Sequence, residues 1–260
     1  MESIVVLANI CSILLIVVFY RFLVNYIKEK RVAYWSTIIL IVFPHHYYFS
    51  MAYTESLFLL LAILSFNSIL RKQYILFGLF SSLLILTRVN GVFFMIPLLI
   101  FHFRIHENSI YNPKTYFIFI PALITLIIYL FHIHEVTGYY LGFKYISELN
   151  WDAKQSFPFS AIYNAIAVKE FNYLTYNAFY ALFFFALSFR FLARKEFDFF
   201  LLCLLCILIP LYEGSTISQP RFISVIFPFS ILIGNALAKC RYKVVILSLL
   251  LGLHLLSFHF

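Results

Sequence analysis

Charge is what this 260-residue chain has least of. Asp, Glu, Lys and Arg make up 12% of it, against 63% hydrophobic residues; soluble domains carry roughly 25% and 45–50%. A soluble globule of this length cannot hide so much apolar surface, so the bilayer must be its solvent. The apolar runs are unbroken rather than alternating, which excludes a membrane β-barrel. Acidic residues are scarcer still, 11 against 19 basic, for a net charge of +8. The basic residues come in short clusters between apolar runs, the pattern of cytoplasmic loops, so no nucleic-acid partner is expected. Cysteines number four. Cys203 and Cys206 have CxxC spacing but lie inside an apolar run, and read as small polarizable filler rather than a redox or zinc pair. His45 and His46 are adjacent, and His132 and His134 are two apart. Neither spacing puts two ligands on one helix face. No metal ligands are predicted, although a divalent cation is left open as a cofactor. The first apolar run lacks the basic flank and cleavage site of a signal peptide. No internal repeat or linker divides residues 1–260.

What remains is an all-α, polytopic transmembrane protein. About ten spans are predicted, near 4–26, 33–49, 54–70, 74–88, 90–104, 116–135, 173–190, 198–212, 221–238 and 243–259. Placing "KEKR" (28–31), "RKQ" (71–73), 103–114, "RFLARK" (190–195) and "KCRYK" (239–243) in the cytoplasm, with Arg21 near an inner helix end, puts most Lys and Arg there. Arg88, Lys144, Lys154, Lys169 and Arg221 fall outside. The outer side then collects the polar segments 44–55, 87–91, 136–172 and 212–221, so binding or chemistry is expected on that face. The 136–172 loop is too apolar to hang free; it is expected to form short helices on the membrane surface, where aromatics suit sugar rings and lipid chains.

Three residues on the outer side carry most of the chemistry. Glu55 stands at the mouth of an apolar helix in "AYTESLFLLLAI". It reads either as a first-turn acid behind an N-cap Thr54 or as a carboxylate facing a water-filled cavity. Arg88 in "LTRVNGVFF" and Arg221 in "SQPRF" lie on the side short of positive charge. Each reads as a snorkelling side chain or, taken together, as a phosphate site.

The two segments "FPHHYYFSMAYTESLFLLLAI" and "LFGLFSSLLILTRVNGVFF" resemble the paired signature of the PIG-V mannosyltransferases. The matching residues are Pro44, Tyr53, Glu55, Ser56, Leu57, Phe58, Thr87, Arg88, Asn90 and Gly91. Gly138, Phe143, Trp151 and Pro158, and then Arg221-Phe222, follow in the family's order. The resemblance implies the GT-C class of polytopic glycosyltransferases. A polyprenyl- or dolichyl-phosphate sugar would be the donor, and mannose or another hexose would pass to a glycan or lipid acceptor on the extracytoplasmic face. It implies donor or substrate contacts at Tyr53, Ser56, Arg88, Asn90, Trp151 and Arg221. The membrane would be the plasma membrane in a prokaryote or the ER in a eukaryote. The family's catalytic Asp belongs to a first outer loop that this chain does not contain. The chain therefore reads as lacking the first span and loop: it is expected to be a truncated reading frame, or a degenerate relative, or one in which another residue or subunit supplies the carboxylate, with Glu55 and Asp152 as candidates. The rival expectations are a catalytically incomplete relative that binds lipid-linked sugar as a scaffold subunit, and a transporter.

Overall fold

The computed structural model describes residues 2–106, 114–140, 142, 156–167 and 171–256. Every regular element in them is helical. In chain order they are α1 (Glu2–Ile27), α2 (Lys30–Val42), α3 (Glu55–Leu70), α4 (Tyr74–Thr87), α5 (Met95–Ile105), α6 (Lys114–Phe117), α7 (Ile120–Thr137), α8 (Pro158–Ile166), α9 (Tyr173–Ala193), α10 (Phe197–Leu211), α11 (Gln219–Ser224), α12 (Phe227–Lys239) and α13 (Lys243–Leu256). Short 3₁₀ segments occupy His46–Phe49 and Val89–Phe94.

Three helical stretches are long and apolar enough to cross a membrane: Ser3–Ile27, Thr115–Thr137 and Tyr173–Ala193. Six others are apolar but shorter, including α3, α4 and α10. Each of the ten expected spans overlaps a helix, though several differ from the sequence expectation. The expected 33–49 segment stops being α-helical at Val42, just before Pro44, because the residue preceding proline is steered out of the helical region. The expected 90–104 segment is α-helical only from Met95. In the long 136–172 connection, Pro158–Ile166 is helical as anticipated, starting with proline in its first turn, where no N–H is needed.

Contacts between helix ends show that the chain runs back and forth. Arg104, ending α5, meets Asp198, starting α10, and Tyr26, ending α1. At the opposite end, His254 near the end of α13 meets the Phe43 carbonyl just after α2. The first of these ends holds the basic turns. Three of those turns place a lysine in the left-handed region: Lys28 (φ 61°), Lys72 (φ 58°) and Lys195 (φ 60°). Glycine would adopt that conformation without the Cβ clash. Lysine instead puts a cation beside the exposed carbonyls that end α1, α3 and α9.

The core is aromatic. Phe22, Phe66, Phe101, Phe199 and Phe227 come from five different helices and are all fully buried. Phe66 lies 4.9 Å from Phe101 and 5.3 Å from Phe227, both edge-on, the arrangement that ring quadrupoles favour. The most extensive helix pairing is α2 with α12. A Cβ on Gly234 would fall 2.4 Å from the Ser36 Cα, so glycine is what lets the two backbones touch. By contrast, α7 packs chiefly on α4 and is only 6% buried over its apolar window. Next to it lies an apolar cavity of about 270 Å³ walled by Ile85, Val92, Met95, Phe119 and Leu123.

Candidate functional site

The three residues singled out from the sequence converge on one point. Glu55, the first residue of α3, is completely buried. Its Oε1 accepts a hydrogen bond from Arg88 Nη1 at 2.6 Å and a second from Arg221 Nε. The arginines come from positions 33 and 166 residues away in sequence. Thr54 occupies the N-cap position but makes no side-chain cap bond, so the carboxylate is held by the two guanidiniums. The cluster of one anion and two cations carries a net single positive charge. Oε2 of Glu55 is buried with no hydrogen-bond partner among the described residues.

Local backbone geometry puts each arginine there. Arg88 leaves the end of α4 in an extended conformation (φ −154°, ψ 138°). The chain turns at once, with the Gly91 N–H donating to the Arg88 carbonyl at 2.8 Å. At Gly91 a Cβ would meet the Leu84 carbonyl oxygen at 2.5 Å, so the turn back onto α4 requires glycine. Arg221 sits in the six-residue α11, and the segment leading to it is tied down by side chains. Thr216 Oγ1 donates to the Leu174 carbonyl at 3.0 Å, Asn177 Nδ2 to the Ile217 carbonyl at 3.2 Å, and Gln219 Nε2 to the Ile207 carbonyl at 3.2 Å. Thr216 and Gln219 belong to the polar segment 212–221 that the sequence marked as a whole, whereas Asn177, inside the apolar α9, was passed over.

Aromatic faces surround the charges. The Arg221 guanidinium lies over the Tyr53 ring, 4.0 Å from its centroid, and Arg88 lies over Phe222 at 5.1 Å. Such stacking holds a cation in place without neutralising it. Tyr53 continues into a ring cluster through Tyr48 (5.9 Å) and Tyr47 (4.4 Å from Tyr48), alongside His45 and Tyr176. His45 packs into this cluster: it is buried, in a left-handed conformation, with Nε2 3.3 Å from the Tyr176 hydroxyl. Glu213 lies in the same connection as Thr216, and burial pushes its carboxyl above the usual range.

Asn90 lines a pocket with Arg88, Phe58, Cys206 and Phe222; about 20 Å³ of it is open, enough for one water-sized group. Ser56 is fully buried, and its hydroxyl lacks a partner among the described residues. Trp151 and Asp152 lie outside the described residues, as do Phe143, Lys144, Lys154 and Lys169. Cys203 and Cys206 are free thiols. The donor set does not suit a divalent cation: one carboxylate, already shared by two guanidiniums, would present it with net positive charge. Among the described residues no group of three or more His, Cys, Asp or Glu could hold a metal ion.

The sequence reading missed a second buried ion pair at the opposite end of the bundle. Arg104 clamps Asp198 in a two-pronged contact, Nε to Oδ1 at 2.8 Å and Nη2 to Oδ2 at 2.7 Å, and its Nη1 donates to the Tyr26 hydroxyl at 3.0 Å. Asp198 is fully buried. It too is a lone acid at the mouth of an apolar helix, in "FDFFLLCLLCIL", so the pattern that drew attention to Glu55 would have found it. Bidentate geometry with every polar atom engaged marks it as a brace between α1, α5 and α10.

No family model, no curated protein and no solved structure matches the chain.

Proposed function

We propose that the chain is a membrane glycosyltransferase of the GT-C kind, with about ten membrane-crossing helices. In this reading it transfers mannose or another hexose from a polyprenyl- or dolichyl-phosphate donor to a glycan or lipid acceptor. The observation that carries the reading is the convergence of Arg88 and Arg221 on Glu55, with one net positive charge, beside a small pocket and an aromatic wall. Two guanidiniums in a low-dielectric setting suit a phosphate, which can take them over from the carboxylate. The acceptor hydroxyl oxygen attacks the anomeric carbon and forms the new glycosidic bond. The bond from that carbon to the phosphate oxygen breaks, and the departing charge falls on the two arginines. The hydroxyl proton goes to a carboxylate, for which Oε2 of Glu55 is the free acceptor. Tyr53 and Asn90 position the groups around it, and Ser56 lies beneath.

A second reading rests on one feature of the same site. The Glu55 carboxylate already holds both guanidiniums through Oε1, which favours a protein that binds lipid-linked sugar without turning it over. Membranes carrying the chain, supplied with radiolabelled polyprenyl-phosphate mannose, separate the two. The enzyme moves label to an acceptor and loses at least roughly 100-fold in rate in Arg88→Met. The binder is stabilised by the donor and transfers nothing. A chain that neither transfers nor binds the donor refutes both.

A further inference from the structure

At the basic end of the bundle, away from Glu55, is a pocket of about 280 Å³. It is built where α1 and α9 end and α2 and α10 begin, against the side of α12. Tyr26 comes from the end of α1, Val32 from the start of α2, Arg194 and Glu196 from the turn between α9 and α10, and Ile231 and Asn235 from α12. One wall is apolar and buried, formed by Val32 and Ile231. The other presents a guanidinium, a carboxylate and a carboxamide. Among the described residues neither Arg194 nor Glu196 is in an ion pair, although both line the same space. Two opposite charges that share a pocket without closing on each other leave room for a ligand carrying both.

Tyr26 forms part of the pocket wall beside Glu196, and its hydroxyl is fixed by Arg104, which Asp198 clamps. The brace described above therefore continues into the pocket wall. Burial raises the Glu196 carboxyl above its ordinary range, against the pull of Arg194 and Arg104; a cation beside it would relieve that.

We propose that this pocket binds the headgroup of a phosphatidylethanolamine-type lipid, with the phosphate on Arg194 and Asn235 and the primary ammonium on Glu196. The ammonium has three N–H donors for the carboxylate. The glycerol and first methylenes then lie on Val32 and Ile231. A lipid is favoured over a free zwitterion because half of the pocket is apolar and its polar half sits among the basic turns, at the level of the headgroups. The site is independent of the sugar-transfer reading, since it shares no residue with the Glu55 cluster.

The test uses the full chain, delipidated in detergent, and three lipids with identical acyl chains. Phosphatidylethanolamine is expected to bind roughly tenfold or more tightly than phosphatidylcholine, whose methylated ammonium cannot donate to Glu196. It should also outbind phosphatidylglycerol, which has no ammonium. Glu196→Gln and Arg194→Gln are each expected to erase the preference while the protein stays monodisperse. Should either variant fail to fold, the lipid series on the parent chain decides alone. Equal binding of the ethanolamine and choline lipids overturns the proposal, as does phosphatidylglycerol matching phosphatidylethanolamine. Free phosphoethanolamine binding as tightly as the lipid overturns the lipid as occupant.

Discussion

Replacing Glu55 by Gln removes the only anion from a cluster that holds two cations. The side chains of Arg88 and Arg221 are 15% and 24% exposed, so water screens them only in part, and Glu55 is not exposed at all. Breaking a buried pair by removing one partner costs about 3–5 kcal/mol. Here one substitution strands two guanidiniums, so the upper part of that range applies. At roughly 2–4 °C per kcal/mol, the melting temperature in detergent should fall on the order of 10 °C. Arg88→Met behaves differently, because Glu55 keeps Arg221 and the remaining pair is neutral; its cost is about 1–2 kcal/mol. The sharper test is the double variant. Glu55→Gln with Arg88→Met leaves a single half-screened cation instead of two repelling ones, and should melt higher than Glu55→Gln alone. Intrinsic-fluorescence melting of the four proteins closes the cycle. A Glu55→Gln melt within about 1 °C of the parent, or costs that simply add, would refute the three-charge account.

Gly91→Ala should push the chain away from the Leu84 carbonyl and carry Arg88 with it; a loss of about 2–3 kcal/mol, together with weaker donor binding, is expected from melting and binding measurements. Asp198→Asn leaves Arg104 buried without its counter-ion and should cost about 3–5 kcal/mol without touching the Glu55 end, so donor binding at permissive temperature should survive. Lys72→Gly relieves a left-handed non-glycine residue and should raise stability by about 0.5–1 kcal/mol. The same change removes a basic-end charge, which an accessibility assay of membrane orientation would detect as mixed topology.

Helices were legible in the sequence because an apolar run in lipid has few alternatives. Their ends were less so. Pro44 stops α2 early, and the Val89–Phe94 stretch tightens into a 3₁₀ segment before α5; both are decided by local backbone geometry rather than by hydropathy. Glu55, Arg88 and Arg221 each stood out as charges in the wrong place. That all three meet at one carboxylate oxygen was not legible, because it depends on how α3, α4 and α11 pack. Arg104 and Asp198 were missed for a different reason. Arg104 looked like one more basic residue in a loop, and Asp198 like a boundary between spans, so neither appeared to need a partner. The packing of His45 with Tyr47, Tyr48, Tyr176 and Tyr180 was not legible either, because it joins the segment after α2 to α9 across 131 residues of sequence.

The short helices flanking that site have a consequence for the membrane itself. At 1.5 Å per residue, the 16 residues of α3 reach about 24 Å and the 14 of α4 about 21 Å. The hydrocarbon layer is about 30 Å thick, and α1, with 26 residues, exceeds it at about 39 Å. If the basic ends of α3 and α4 sit at their interface, the opposite ends stop several ångströms short of the other one. In a bilayer that α3 and α4 cross, lipid would have to thin to meet those ends on one side only, which would suit thin membranes better than thick, sterol-rich ones.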